Sequence, residues 1–190
     1  MYNGYTIGGG ITASRVRGLI DQARSEDSMF GYNGLTETSF VGANGAQLLE
    51  LVGAGPEVNL VLVHFANLSP TNLCDLYVQL LDSTGEPVAG YDGYYHNLSP
   101  YPIDMPSSNK DGMLLTVGAM PSDKLSGRLQ ITRAGIGFEV TSLIHDPGRG
   151  IDMAGYATVN ASDVSGVRIY WTDDNGFLGD LGFASLSWSK

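Results

Sequence analysis

The feature that most constrains the fold is how often the chain is interrupted. From about Gln47 onward, short apolar or alternating runs are cut at close intervals by clusters of glycine, proline, asparagine and aspartate. A globular helix needs about ten or more residues of unbroken 3.6-residue periodicity, whereas strands need only about four to eight. The chain holds 26 glycines and 8 prolines, and only 16% of it is charged. Such punctuation predicts an all-β, antiparallel sandwich, not alternating βαβ units. With 43% apolar residues in 190, one large sandwich with an appendage fits better than two domains.

Individual strands can be placed by their two-residue period. Gln47–Leu51 opens the series, and Val58–Phe65 is a continuous apolar run suited to a strand covered on both faces. Cys74–Leu81 and Glu86–Tyr91 flank the turn Asp82-Ser83-Thr84-Gly85, which predicts a hairpin. Tyr94 to Lys110, with Pro100, Pro102 and Pro106, reads as a long loop. Met113–Val117, Gly127–Arg133 and Phe138–Ile144 follow. Leu129 and Ile131 face one side, Arg128, Gln130 and Thr132 the other, and Arg133–Gly137 makes the turn of a second hairpin. Near the end, Val167, Ile169 and Trp171 share one face, and Ala184, Leu186 and Trp188 another. The polar cluster Thr172–Gly176 between them suits a turn, with Asn-Gly favouring positive φ.

Residues 1–40 read differently and are assigned to an N-terminal arm, with the sandwich over 41–190. Val16, Leu19, Ile20 and Ala23 fall on one face of a short helix that Thr12 or Ser14 could cap. Gly18 within it costs about 1 kcal/mol relative to alanine. A helix this short persists only when docked. It can dock on its own sandwich or on a neighbouring subunit, and Val16, Leu19 and Ile20, with Arg15 and Arg17 beside them, are the expected contacts to a partner subunit. Arg15, Arg17 and Arg24 also make the arm more basic than the body, tempered by Asp21, Glu26 and Asp27.

Charge and cysteine usage exclude several function classes. Ten basic against twenty acidic residues give −10, which opposes binding to phosphate backbones and anionic membranes, so neither nucleic acid nor membrane is an expected partner. No stretch approaches the roughly 20 apolar residues that span a bilayer, and Met1–Gly10 has no secretory character. The Asn-x-Ser triplets at Asn67, Asn97 and Asn160 are accordingly read as chance. The single cysteine, Cys74, shares a face with Leu76, Val78 and Leu80 and is expected to be a buried apolar residue.

No constellation for chemistry stands out, and no enzyme, cofactor or metal is expected. His64 lies in the apolar run Val61–Phe65 and reads as a core or interface histidine. His145 with Asp146 could form a base and its orienter, but no nucleophile motif accompanies them. Gly8-Gly9-Gly10 lacks the lysine and hydroxyl residue of a phosphate loop. Asp173, Asp174, Asn175 and Asp180 crowd oxygens into one stretch, yet a turn accounts for them and the spacing fits no EF-hand. Tyr91, Tyr94, Tyr95 and Tyr101 gather with Asp92, His96 and Asn97 in what reads as one loop. Tyrosines so placed suit packing on their own sheet, a protein interface or a stacked sugar.

The stretch Ser165–Trp171, a short polar loop and then Gly182–Trp188 resembles the closing hairpin of β-sandwich modules in tailed-phage virion proteins. Leu60–Val63 followed by Leu76–Gly85 is similar to their paired sheet strands. The resemblance covers about Val58 to Trp188. It implies a jelly-roll-like sandwich and a virion component: a head decoration (cement) protein, a head fibre or a tail appendage. Of what the resemblance implies, the preferred expectation is a capsid decoration protein on the head surface, a homotrimer contacting sister subunits and the major capsid protein or another virion protein. The alternative is a tail or fibre module that binds a receptor or glycan. A sandwich-fold hydrolase is the third class, and no carboxylate pair is recognisable for it.

Overall fold

A computed structural model describes residues 36–190 except 44, 55–56, 98–103, 107, 110–111, 174, 179–181 and 190. The arm residues Arg15, Val16, Arg17, Leu19 and Ile20 therefore lie outside the described residues, as does Tyr101. The described strands are β1 (Thr36–Gly42), β2 (Leu48–Val52), β3 (Leu60–Pro70), β4 (Cys74–Leu81), β5 (Tyr91–Asn97), β6 (Asp104–Pro106) and β7 (Ser108–Asn109). They continue with β8 (Gly112–Ala119), β9 (Leu125–Ala134), β10 (Gly137–Asp146), β11 (Ile151–Val159), β12 (Gly166–Trp171), β13 (Phe177–Leu178) and β14 (Phe183–Ser189). No helix occurs among the described residues. β1 starts inside the stretch that sequence assigned to the arm.

All pairings among the described strands are antiparallel and make two packed sheets. The large sheet runs β1-β14-β3-β9-β10-β11-β5-β6, with β13 on the end of β3, and the small one runs β2-β12-β4-β8-β7. Its heart is a jelly roll: the quartet β1-β14-β3-β9 faces the quartet β2-β12-β4-β8, and most connections cross from sheet to sheet. The β10–β11 hairpin and the β5–β6 excursion widen the large sheet beyond that plan.

The core fills the space between the inner faces. Val61, Val63, Phe65, Leu129, Ile131 and Val140 come from the large sheet, and Leu49, Leu51, Leu76, Val78, Val167 and Ile169 from the small one. Each such side chain contributes about 1.5–3 kcal/mol on burial. The alternation read from sequence holds at Leu129/Ile131, at Val167/Ile169/Trp171 and at Cys74/Leu76/Val78/Leu80, all buried. The second hairpin forms as expected, with Ala134 opposite Gly137 and Gly135 at φ +60, a turn geometry that suits a residue without Cβ. Trp188 is half-buried, at the end of β14.

Four local expectations are corrected. β3 is covered on one face only: Leu62 is half-buried and His64 is exposed on the outer side. β4 and β5 do not make a hairpin. After the Asp82 turn the chain keeps one bridge, Leu81 to Pro87, and the Val88 N–H to Leu80 O bond, then crosses to the other sheet. Proline has no N–H with which to extend that ladder. β12 and β14 also lie in different sheets, so residues 172–182 are a crossover. Within it Asp173, not the Asn-Gly pair, takes the left-handed conformation (φ +59), and Phe177 packs against Trp171 with ring centroids 5.5 Å apart. Finally, Tyr94–Asn97 belong to a strand and not to a loop.

Candidate binding face

Strand geometry divides the tyrosine cluster, because successive side chains point to opposite faces. Tyr91 and Tyr95 point inward and are buried. The Leu80 N–H donates to the Tyr91 hydroxyl at 2.6 Å, beyond the point where β4 still pairs with β8. Burial pushes both phenols above their ordinary range. Neither ring can meet a ligand in the folded protein, which corrects their reading as an interface or glycan loop. Tyr94 points outward, 55% exposed, beside Tyr156 of β11 at 5.9 Å.

The candidate catalytic pair is separated in the same way. His145 faces outward and its Nδ1 meets Asp152, not Asp146, at 2.8 Å. Asp146 faces inward and is fully buried. Arg149 donates to it through Nε at 2.6 Å, to Val117 O at 2.9 Å and to Thr116 Oγ1 at 3.0 Å. Asp123, also buried, lies 3.5 Å from the same Nε and accepts the Met120 N–H at 2.8 Å. The loops around residues 120 and 148 are thus tied together by one guanidinium between two buried carboxylates. With its fork directed at protein acceptors, this group orders loops and offers no free nucleophile.

Of the oxygen-rich stretch, Asp174 and Asp180 lie outside the described residues, and Asn175 is committed to structure. Asn175 Oδ1 accepts from Thr71 Oγ1 at 3.1 Å and from Asn72 Nδ2 at 2.9 Å, while its Nδ2 donates to Thr172 O at 2.9 Å. Among the described residues no group of three or more His, Cys, Asp or Glu side chains could hold a metal ion. The Cys74 thiol is pushed up to about 11 by burial, then by the charges of Asp75 and Asp173. A thiol held that high is a poor nucleophile near neutral pH.

What remains is the outer face of the large sheet. Register aligns His64, Arg128, Leu143, Ala154 and His96 in one row across β3, β9, β10, β11 and β5. The next row holds Leu62, Gln130, Thr141, Tyr156 and Tyr94, and a third holds Leu60, Thr132, Glu139, Thr158 and Asp92. Opposed side chains in such rows stand about 4.5–5.5 Å apart at Cβ. All three histidines, distant in sequence, therefore share this surface, which corrects the core reading of His64. Beside the first row lies a shallow, open depression of about 530 Å³, lined by Ser126, Arg128, Leu143, His145 and Asp152 with the backbone of Gly127 and Ile144.

Sequence reasoning placed Arg128 on the outward side of β9 but not in a site. The signal was present in the alternation with Leu129. What was hidden is that other described cations are engaged: Arg168 by Glu50 at 2.6 Å, Arg149 by Asp146, and Lys124 by Ser69 at 3.2 Å. Arg133 donates to Val58 O at 3.1 Å and lies over the Phe138 ring at 4.6 Å. The Arg128 side chain has no ion-pair or hydrogen-bond partner among the described residues. Searches with the chain matched neither a family model nor a curated protein.

Proposed function

We propose that this chain is a structural protein of a phage particle, a head decoration (cement) protein that binds the assembled shell and stabilises it. The observation that carries the reading is the widened outer face of the large sheet. It is broad and open, and it mixes exposed Tyr94 and Leu143 with polar and charged groups. A surface of that kind suits contact with a repeating protein lattice better than enclosure of a small substrate. The jelly-roll order and the resemblance of Val58–Trp188 to virion modules support the same assignment. In this reading the protein assembles as a homotrimer, and the arm, through Val16, Leu19, Ile20, Arg15 and Arg17, ties each subunit to a sister or to the major capsid protein.

The test is sedimentation of the purified protein with tailed-phage heads that lack their decoration protein, followed by imaging. Saturable co-sedimentation at a fixed stoichiometry, with symmetric added density, is expected. Absence of binding to every such head overturns the reading. The exposed Tyr94–Tyr156 pair favours the second reading, a tail or fibre module that stacks a receptor sugar. Glycan binding abolished by Tyr94→Ala would replace the first reading with the second.

A further inference from the structure

We infer that the depression beside Arg128 is an anchor for an acidic, partly apolar peptide segment of a protein partner, with the Arg128 guanidinium taking the partner carboxylate. The inference rests on the reading of the large-sheet outer face as the binding face, and it names the chemistry that face selects.

The chain carries −10 overall, so an exposed cation is drawn toward the protein's own carboxylates. Arg168, Arg149, Arg133 and Lys124 all have partners, and Arg128 stands apart from them. The acid that lines the depression, Asp152 of β11, is held by His145 at 2.8 Å. An unspent, planar, five-donor fork is suited to bidentate recognition of a carboxylate. Leu143, directly opposite Arg128 in register and 44% exposed, offers an aliphatic contact next to it. Ser126, two residues before Arg128 on the same face, adds a hydroxyl.

The shape narrows the occupant. Small-ligand sites bury about 70–90% of their ligand. A shallow depression open across three strands cannot do so, and an occupant must continue beyond it. Stacking of a polysaccharide calls for an exposed tyrosine, tryptophan or phenylalanine, and none lines the depression. A peptide presenting glutamate or aspartate beside leucine-like side chains matches an arginine next to an exposed leucine.

The experiment is fluorescence anisotropy on the full chain with a short labelled peptide alternating glutamate and leucine. Saturable binding is expected in 50 mM NaCl, weakening as salt rises to 500 mM because an exposed ion pair is screened. Arg128→Gln should weaken it about tenfold or more. Arg168→Gln, which removes a paired cation on the opposite sheet, should leave it unchanged. A glutamine-for-glutamate peptide should not bind. Lack of saturable binding, binding indifferent to salt, or equal loss in both arginine variants would overturn the inference. So would polygalacturonate binding through Arg128 where the peptide does not bind. The sedimentation assay separates this inference from the reading beneath it: heads that take up wild type and Arg128→Gln equally overturn the anchor and leave the decoration role standing.

Discussion

Arg149→Met tests whether the guanidinium between Asp123 and Asp146 is what holds the loops at that end of the sandwich. Methionine keeps much of the aliphatic stem and removes the charge. The variant loses the 2.6 Å bond to Asp146 and the bonds to Val117 O and Thr116 Oγ1, and leaves two carboxylates whose side chains are 0% and 1% exposed without a cation. Breaking a buried pair from one side costs about 3–5 kcal/mol. For a domain of this size each kcal/mol moves Tm by about 2–4 °C, so a fall of roughly 6–20 °C is expected at pH 7.5. Adding Asp123→Asn and Asp146→Asn removes the unpaired charges and should recover most of the loss. Circular-dichroism melts of the three proteins at pH 7.5 read this directly. A deficit below about 2 °C, or one that the two asparagine substitutions do not reduce, refutes the electrostatic account.

Trp171→Ala empties a site that is 2% exposed and should cost about 3–5 kcal/mol, read as a shift of the urea midpoint; a loss under about 1 kcal/mol would show that the ring is not a core element. Cys74 should react with a thiol-specific disulfide reagent at pH 8 only after denaturant is added, since burial keeps the thiol protonated; immediate native labelling contradicts this. Asp82 accepts from the Thr84 N–H and hydroxyl and from the Glu86 N–H, which holds its pKa below the ordinary value. Its stabilising effect is present above the unfolded carboxyl pKa of about 3.9 and is lost as pH falls through the lower folded value. The Tm gap between wild type and Asp82→Ala should therefore be seen at pH 7 and shrink by pH 2.5, and an equal gap at both refutes the turn-capping role.

The inside–outside pattern of this fold was legible where polar and apolar residues alternate cleanly, as at Leu129/Ile131 and Val167/Ile169/Trp171. It failed at Val58–Phe65, because Leu60 and Leu62 are apolar yet sit on the half-covered outer face, which hides the period. Sheet membership was not legible at all. A polar break after a strand looks the same whether the chain returns beside it or crosses to the opposite sheet, so β4/β5 and β12/β14 were both read as hairpins. The arginine knot was half visible, as an i,i+3 pair of Asp146 and Arg149. Its other members, Asp123 and Thr116, arrive from β8 and the turn after it, and only tertiary structure joins them. The outer-face rows are of the same kind, since their members are neighbours across strands and distant along the chain.

The jelly-roll order also dictates when this protein can fold during synthesis. β14 follows every other described strand in the chain, yet it fills the slot between β1 and β3, and β12 fills the slot between β2 and β4. Until those late strands leave the ribosome, each quartet has a gap at its centre, and β1 and β2 wait as unpaired edges. Non-local pairing of this kind makes folding slow and exposes partial chains to aggregation. The nascent chain must therefore be kept soluble until Phe183–Ser189 has emerged, and a chain arrested before Phe183 lacks the strand that joins β1 to the rest of its sheet. The β9–β10–β11 meander, by contrast, is built from neighbours in sequence and can pair as soon as it emerges.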